Sequence, residues 1–136
     1  MIEPISSEEL EWAKQARARH PEITSYGFGL PANDKDHFEE SGDSGLQMIV
    51  ACRRWLTGQK FRKTINPIDC PGSYTAKHMV ESWPGNPKKP TKYIYEGALI
   101  LAAVVLGVPY KQIPGNWGVY LGLSRKTIPP SNFPNA

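Results

Sequence analysis

Hydrophobic residues recur at helical spacing in four stretches of the chain, separated by segments rich in proline and glycine. The first stretch opens at Ser6, which fits a capping box with Glu9, and it ends before Pro21 because the residue preceding a proline disfavours the α region. The second covers residues 44–57, with Gly58 in the position typical of a helix stop. Each stretch therefore predicts one helix of ordinary length.

The third stretch reads SYTAKHMVESW and lies between Pro71-Gly72 and Pro84-Gly85, with Ser73 as its expected N-cap. Wound as a helix, it divides its side chains between two stripes that face nearly opposite ways. The apolar stripe, expected to pack on the core, consists of Ala76, Met79, Val80 and Trp83. The polar stripe consists of Tyr74, Lys77, His78 and Glu81.

The fourth stretch starts near Thr91 or Tyr93 and runs to Leu106, and it is apolar almost all round. A helix that is apolar on every face belongs in the interior of a fold, so this stretch predicts the central helix. Gly107 is its expected end. Further on, residues 117–123 alternate between apolar and polar positions, which predicts a short strand or hairpin arm.

Residues 21–43 have the least regular pattern and are expected to form a long surface connection. Their first part, ITSYGFGL, is a short strand or an extended loop, and Asn33 or Asp34 is expected to cap one or two helical turns through Glu40. Two more connections follow from composition. Residues 60–72 are predicted to be extended and basic, and residues 84–92 to form a proline-lysine linker.

Together these elements predict a mainly α, compact single-domain fold: about four helices around a buried apolar helix, with a small β element near the C-terminus. The 136 residues are enough to close a core without disulfides or metals. Within the single domain, 1–136, we expect an acidic N-terminal segment over residues 1–43, a basic helical core over residues 44–126 and a flexible tail over residues 127–136.

Charge is distributed unevenly along the chain, although the net charge is only +3. Residues 1–50 contain ten acidic and four basic residues, a balance of −6, whereas residues 51–136 contain three acidic and twelve basic residues, a balance of +9. Such asymmetry indicates contact with nucleic acid, or an acidic segment that packs on a basic one.

Cysteine usage and hydropathy argue against a disulfide-linked, a metal-binding or a membrane-spanning protein. Cys52 and Cys70 lie outside any Cys-x-x-Cys spacing, so we expect Cys52 to be a reduced core residue and Cys70 a reduced loop thiol. No cofactor and no metal site is expected, because no ligand spacing is present. The longest apolar run, nine residues over 98–106, is too short to span a membrane, and no signal peptide is visible. The sequence therefore indicates a soluble, cytoplasmic protein without a membrane partner.

Basic and aromatic residues are interleaved in three parts of the basic half. Cations placed between aromatic rings suit phosphate contacts combined with base stacking. The simpler interpretation is that the rings belong to the core and the lysines keep the surface hydrated. The three clusters are Arg53, Arg54, Trp55, Lys60, Phe61, Arg62 and Lys63; Lys88, Lys89, Lys92, Tyr93 and Tyr95; and Tyr110, Lys111, Trp117, Tyr120, Arg125 and Lys126.

The polar stripe of the third helix supports a different hypothesis. His78 and Glu81 can orient one another as a base and its carboxylate do, and Lys77 can stabilise an oxyanion or a phosphate. The simpler interpretation is an outer helix face with one ion pair between residues four apart. A helix-turn-helix after the apolar helix is disfavoured, because Pro109 and Pro114 interrupt the place of its second helix.

Three motifs follow one another in the second half: a Ser-Tyr-x-x-Lys-His-x-x-Glu helix, a Tyr-x-x-x-Gly-alanine-rich helix and a closing Asn-x-x-Tyr-like segment. Over residues 73–124 the chain resembles small, mostly uncharacterised proteins of phages and other mobile elements. The resemblance implies a mobile-element context and a functional role for the polar stripe. The matching residues are Ser73, Tyr74, Lys77, His78, Glu81, Tyr93, Gly97, Asn116 and Tyr120, the last two being one residue further apart than the pattern expects.

The sequence predicts a small phage-type protein that binds nucleic acid, DNA or RNA, through a basic, aromatic-interleaved surface, and we expect a binding protein rather than an enzyme. The expected contact residues are Tyr74, Lys77, His78, Arg53, Arg54, Lys88, Lys89 and Lys92. One alternative is a protein-binding modulator that inhibits a host defence or replication enzyme, itself a nucleic-acid-binding protein. The other is a small nuclease or transferase with His78, Glu81 and Lys77 as its catalytic residues. The oligomeric state is left open.

Overall fold

A computed structural model describes residues 2–124. That part of the chain contains five helices and four short strands, so the prediction of a mainly α fold with a small β element near the C-terminus is confirmed. The predicted tail lies outside the described residues. The helices are α1 (Ser7–Arg19), α2 (Phe38–Ser41), α3 (Asp43–Thr57), α4 (Ser73–Ser82) and α5 (Glu96–Leu106). The strands are β1 (Ile23–Thr24), β2 (Gly27–Phe28), β3 (Tyr110–Gln112) and β4 (Val119–Leu121).

The centre of the fold is α5, as its apolar pattern predicts. It packs against α3 most extensively and also against α1, α4 and the β1–β2 hairpin. Its residues 97–103 are buried, and Gly107 ends it in the left-handed conformation. The predicted start near Thr91 or Tyr93 is wrong, because Tyr95 has extended backbone and the helix begins only at Glu96.

The ends of α1 and α3 follow their local signals. Ser6 and Glu9 form both hydrogen bonds of the capping box, and α1 stops at Arg19 before the proline. Helix α3 begins at Asp43, one residue earlier than predicted, and Gly58 is its C-cap. The backbone of Gly58 is right-handed, so that position does not depend on the conformational freedom of glycine.

The expected role of Ser73 as the cap of α4 is wrong. Gly72 occupies the cap position, and Ser73 is the first helical residue, fully buried. Its hydroxyl donates to Glu96 Oε2 at 2.6 Å and accepts from the backbone N–H of Val119 at 2.9 Å. Ser73 therefore ties the starts of α4 and α5 to β4.

Residues 21–43 are more ordered than a surface connection. β1 and β2 form an antiparallel hairpin in which Ile23 pairs with Phe28, and the side chains of Ile23 and Phe38 are buried in the core. The expected caps, Asn33 and Asp34, lie too early, since α2 starts only at Phe38 with His37 in the cap position.

The proline-lysine segment over residues 84–92 is not an exposed linker. Asn86 is fully buried, and its side-chain amide donates to the carbonyls of Val80 and Lys92, both at 3.2 Å. Lys88 is also buried, with Nζ donating to the carbonyl of Thr91 at 3.0 Å. These hydrogen bonds fold the segment against the end of α4.

β3 and β4 form an antiparallel hairpin in which Lys111 pairs with Tyr120. A third segment joins on the far side of β4, where Phe61 bridges Leu123 and the N–H of Arg62 donates to the carbonyl of Gly122 at 2.8 Å. Because residues 108–124 form this small sheet, that part of the chain contains no recognition helix of a helix-turn-helix.

Both cysteines are free; Cys52 is a core residue, as predicted, and Cys70 lies in a loop but is buried. The acidic N-terminal segment packs on the basic half, with α1 against α3 and Glu9 paired with Arg54. Within residues 2–124, every helix is too short or too polar to cross a lipid bilayer.

Candidate functional site

The polar stripe of α4 is not a uniformly solvated face. Tyr74 and His78 are exposed, but Lys77 is buried and Glu81 is largely covered. Lys77 Nζ donates to the carbonyl of Ile94 at 3.0 Å, and Glu81 Oε2 accepts from the N–H of the same residue at 2.9 Å. Two side chains of α4 thus hold both backbone groups of one buried residue, and this fixes the chain segment that leads into α5.

The clamp on Ile94 positions the residues on either side of it, Tyr93 and Tyr95. Both line a cleft of about 230 Å³ between α4, the start of α5 and the β1–β2 hairpin. We call it the tyrosine cleft. Its lining residues are Ser25, Tyr26, His37, Tyr74, Lys77, Tyr93, Tyr95 and Glu96.

A close backbone approach brings the hairpin against the cleft. The N–H of Gly97 donates to the carbonyl of Ser25 at 3.0 Å, and a Cβ at Gly97 would lie only 1.7 Å from the carbonyl oxygen of Thr24. Glycine is therefore required at this point of α5 for the hairpin to reach the helix. The glycine in the Tyr-x-x-x-Gly motif has this physical explanation.

Aromatic rings follow one another through the cleft and beyond it. Trp117 contacts Tyr26, with 6.2 Å between ring centroids, Tyr26 lies 5.8 Å from His37, and His37 lies 6.3 Å from Tyr95. Tyr95 contacts Tyr93 edge-on at 5.7 Å. We call these five side chains, with Tyr74 and His78, the aromatic band.

Lys77 connects the two parts of the aromatic band. Its Nζ lies 4.5 Å from the ring centroid of Tyr93 and 5.7 Å from that of Tyr74, in the arrangement of a cation–π contact. Tyr74 in turn meets the ring of His78 edge-on at 4.6 Å. The rings of Tyr74 and Tyr93 are 61% and 51% exposed, so this end of the band is open to solvent.

The carboxylates near His37 already have partners. Asp34 accepts a hydrogen bond from the Tyr26 hydroxyl, which lowers the pKa of Asp34 and raises that of Tyr26. Glu40 binds His37 Nδ1 at 2.8 Å and Lys35 Nζ at 2.9 Å, and these contacts lower its pKa. Both carboxylates thus have hydrogen-bond partners within the chain, and Glu40 also pairs with a lysine.

Glu96 is the acidic residue among those that line the tyrosine cleft. Burial raises the pKa of its carboxyl group above the ordinary value, partly offset by the hydrogen bond from Ser73. Glu96 Oε1 accepts no hydrogen bond from the described part of the chain. A carboxylate with spare acceptor capacity in a cleft is able to bind a donor group of a ligand.

A basic surface adjoins the aromatic band at the β3–β4 hairpin. We call it the basic sheet: Lys60, Arg62, Lys63 and Lys111, carried by the two chain segments that pair with the 119–124 segment of the small C-terminal sheet. Tyr110 of β3 stacks on Phe28 with 5.7 Å between centroids, and the N–H of Phe28 donates to the carbonyl of Trp117. Phe28 of β2 therefore contacts both β3, through the ring of Tyr110, and the backbone of Trp117 in the turn of the β3–β4 hairpin.

The basic residues expected to contact a partner are not gathered on one surface. Arg54 forms a two-point contact with the Glu9 carboxylate at 2.8 Å and donates to the carbonyls of Glu3 and Pro4. Lys88 is buried, and Lys92 Nζ donates to the carbonyl of Asn86. The charged groups of these three residues thus form hydrogen bonds within the chain.

The other two expected cations remain at the surface. Arg53 lies over the ring of Trp12, with its guanidinium carbon 4.4 Å from the ring centroid, and the side chain of Lys89 is exposed. Arg53 lies on α3, and the backbone N–H of Lys89 donates to the side chain of Gln47 on the same helix. Neither Arg53 nor Lys89 lines the tyrosine cleft.

The catalytic hypothesis has partial geometric support. His78 Nδ1 lies 2.7 Å from Glu81 Oε1, as in a base oriented by its carboxylate, and the ring is half exposed. Lys77, however, is directed to Ile94 and the tyrosine rings. In residues 2–124, no three His, Cys, Asp or Glu side chains lie close enough together to hold a metal ion.

Tyr26, His37 and Glu96 belong to the site but were not expected there. No sequence pattern marks His37, because its ring partners, Tyr26 and Tyr95, are distant in sequence. For Tyr26, the only signal in the sequence was its position in residues 21–43, an irregular segment long enough to carry function.

Comparison of the chain with protein-family models, with curated proteins and with solved structures gave no match. Function is therefore argued from the geometry alone.

Proposed function

We propose that the protein binds single-stranded nucleic acid, with bases stacked on the aromatic band and phosphates held by the basic sheet. The observation that carries this proposal is the position of Trp117: this exposed ring of the aromatic band lies in the turn of the hairpin that bears Lys111. Proteins that bind single strands combine these same two elements, since every base has a face that stacks and every nucleotide carries a phosphate.

The open rings favour a single strand over a duplex. The bases of a duplex are stacked on one another, so exposed tyrosine faces have nothing to bind in it, whereas unpaired bases are free to stack on protein. Base-on-ring stacking contributes about 1–3 kcal/mol per base, and the phosphate contacts add a term that depends on salt. DNA and RNA are both compatible with this mode of binding.

The charge distribution of the basic sheet supports phosphate contact. Arg62, Lys63 and Lys111 form no ion pair with the described residues, so they are available to a polyanion. By contrast, the cations expected from the sequence at positions 54, 88 and 92 have partners within the chain. The proposed contact residues therefore move from those positions to the C-terminal sheet.

The test is the affinity for a fluorescently labelled single-stranded oligonucleotide, measured by anisotropy as the salt concentration is raised. Each phosphate contact contributes about 0.7 to the slope of log affinity against log salt, because counterions are released on binding. We expect the variants Lys63→Gln and Lys111→Gln each to lower the slope by about that amount. Lys14→Gln, which alters an exposed lysine on α1, is the matched control and is expected to leave the slope unchanged.

Absence of binding at low salt, for DNA and RNA oligonucleotides alike, would overturn the proposal. So would binding whose salt dependence is equal in K63Q, K111Q and K14Q. If instead a host protein co-purifies in stoichiometric amount after nuclease treatment, the alternative of a protein-binding modulator replaces it. Exposed tyrosine and tryptophan side chains are also typical of protein interfaces, so this outcome has a structural basis.

A further inference from the structure

The tyrosine cleft contains two opposite charges that do not pair with one another. Lys77 and Glu96 both line it, yet no ion pair joins them in the described chain. Lys77 comes from the middle of α4 and Glu96 from the first residue of α5. A ligand that enters the cleft therefore meets a hydrogen-bond donor and a hydrogen-bond acceptor at separate points.

Both groups keep hydrogen-bonding capacity for a ligand. The ammonium of Lys77 has three N–H donors; one is given to the Ile94 carbonyl, and the ammonium also forms an ion pair with Glu81 Oε2 at 3.5 Å, which leaves one N–H for a ligand. Glu96 accepts from Ser73 through Oε2, and Oε1 has no partner among residues 2–124. Partial burial strengthens such contacts, since water competes less well in a cleft.

The walls of the cleft suit a flat ligand. Tyrosine rings from three separate chain segments line it, and the rings of Tyr74 and Tyr93 are exposed at its mouth. Its volume of about 230 Å³ is below the usual range of about 300–1,000 Å³ for drug-sized ligands. A ligand of the size of one nucleic-acid base, with one ring or two fused rings, is therefore appropriate. A quaternary ammonium ligand is disfavoured, because the Lys77 cation already lies against these rings.

We propose that the tyrosine cleft binds one unpaired guanine base, with Lys77 donating to O6 and the Glu96 carboxylate accepting from N1–H and the N2 amino group. The inference rests on the proposed function, since it assigns a base preference to the same surface. Guanine fits the chemistry because its edge carries one acceptor beside two donors. Cytosine and adenine offer one amino group each, and uracil one ring N–H between two carbonyls.

The experiment is a titration of the protein with GMP, AMP, CMP and UMP, followed by the NMR shifts of the Tyr93 and Gly97 amides. We expect GMP to bind at least about tenfold more tightly than the other three, since a two-point contact to a base discriminates by about that factor or more. Glu96→Gln is expected to remove the preference, because the amide replaces one acceptor of the pair by a donor.

Glu96→Gln is a suitable variant because glutamine retains an oxygen for the Ser73 hydroxyl. Its melting temperature is measured alongside, and Glu11→Gln, which alters an exposed acid of α1, is the matched control. Equal affinities for the four nucleotides would overturn the inference, as would a guanine preference that Glu96→Gln leaves unchanged.

The two proposals fail separately. If oligonucleotides bind with the expected salt dependence but a single guanine in a thymine background adds no affinity, the guanine site is wrong and the proposed function stands. If GMP binds with the expected preference while no oligonucleotide binds at low salt, the guanine site stands for a free nucleotide and the proposed function is wrong.

Discussion

Ser73, Lys77 and Glu81 are polar residues of one amphipathic helix whose side chains bind distant backbone or side-chain groups. Ser73 reaches Glu96 and Val119, and the other two hold Ile94. The spacing of the motif predicted the helix and the apolar stripe, of which Ala76, Met79 and Val80 are buried. It did not predict these partners, because they lie more than ten residues away and helix periodicity carries no information on them.

The capping box shows the opposite case, in which the residue pattern was sufficient. Ser6 and Glu9 bond to each other's backbone within one turn, so their roles follow from spacing alone. Glu9 also pairs with Arg54, forty-five residues away, and that contact was not predicted. The sequence predicted a phosphate contact at Arg54 because it shows the charge of the residue and does not show its ion-pair partner, Glu9.

The Glu9–Arg54 pair predicts a pH-dependent stability. The hydrogen bond from Arg54 is the main reason that the pKa of Glu9 falls from 4.5 to about 2 in the folded protein. Because the pKa of Glu9 is lower in the folded than in the unfolded protein, its ionised carboxylate stabilises the fold at pH values above 4.5. This contribution is lost as the pH falls toward about 2. We expect Glu9→Gln to lower the free energy of unfolding by about 2 kcal/mol at neutral pH.

The measurement is urea unfolding of the wild type and Glu9→Gln at neutral pH and at about pH 2. The difference in free energy of unfolding should nearly vanish at the lower pH. Glu11→Gln, on the same helix, is the control and is expected to change stability by less than about 0.5 kcal/mol. A loss in E9Q that is the same at both pH values would contradict the assigned ion pair.

At the scale of elements, the central helix was predicted well and its surroundings were not. The apolar pattern of α5 identified its burial and its end at Gly107, because both depend on local composition. Its start was misplaced because the backbone of Ile94 bonds to side chains of α4 instead of continuing the helix. The composition of the segment around the buried Asn86 predicted an exposed linker, because proline and lysine are ordinarily exposed.

The approach of the β1–β2 hairpin to α5 depends on Gly97. A methyl group there would collide with the Thr24 carbonyl, so Gly97→Ala must separate the hairpin from the helix. We expect the free energy of unfolding to fall by about 1–3 kcal/mol, as overpacking does in other cores. The midpoint of urea unfolding measures the change.

Gly58 is the matched control for Gly97. Its backbone is right-handed, and an added Cβ would lie at an ordinary 3.6 Å from the nearest atom, the carbonyl oxygen of Trp55. Gly58→Ala is therefore expected to leave stability unchanged or to raise it by about 0.4–1 kcal/mol, through the unfolded chain. Equal effects of G97A and G58A would contradict the close approach at Gly97.

At the scale of the whole molecule, the charge asymmetry of the chain is only partly preserved in space. The acidic N-terminal segment packs on the basic half and neutralises Arg54, while Arg62, Lys63 and Lys111 lie on the two segments that pair with residues 119–124 of the C-terminal sheet. Segment charges predicted that a basic surface exists. They did not predict its position, because pairing between distant segments decides which cations remain unpaired.

The aromatic band is likewise a product of the whole fold. Its rings come from the β1–β2 hairpin, the chain before α2, α4, the clamped segment before α5 and the turn of the C-terminal hairpin. The sequence marked five of its members as candidates, through the motif of α4 and the basic-aromatic clusters: Tyr74, His78, Tyr93, Tyr95 and Trp117. The remaining members meet them in space and nowhere along the chain.

Contact between bases and the aromatic band is the central claim, and photocrosslinking tests it most directly. A single-stranded oligonucleotide that carries iodouracil crosslinks to the aromatic side chains on which its bases stack, and mass spectrometry locates the modified residues. We predict crosslinks at Tyr74, Tyr93 or Trp117. Crosslinks confined to the α1–α3 side, such as Trp12 beside Arg53, would contradict the account.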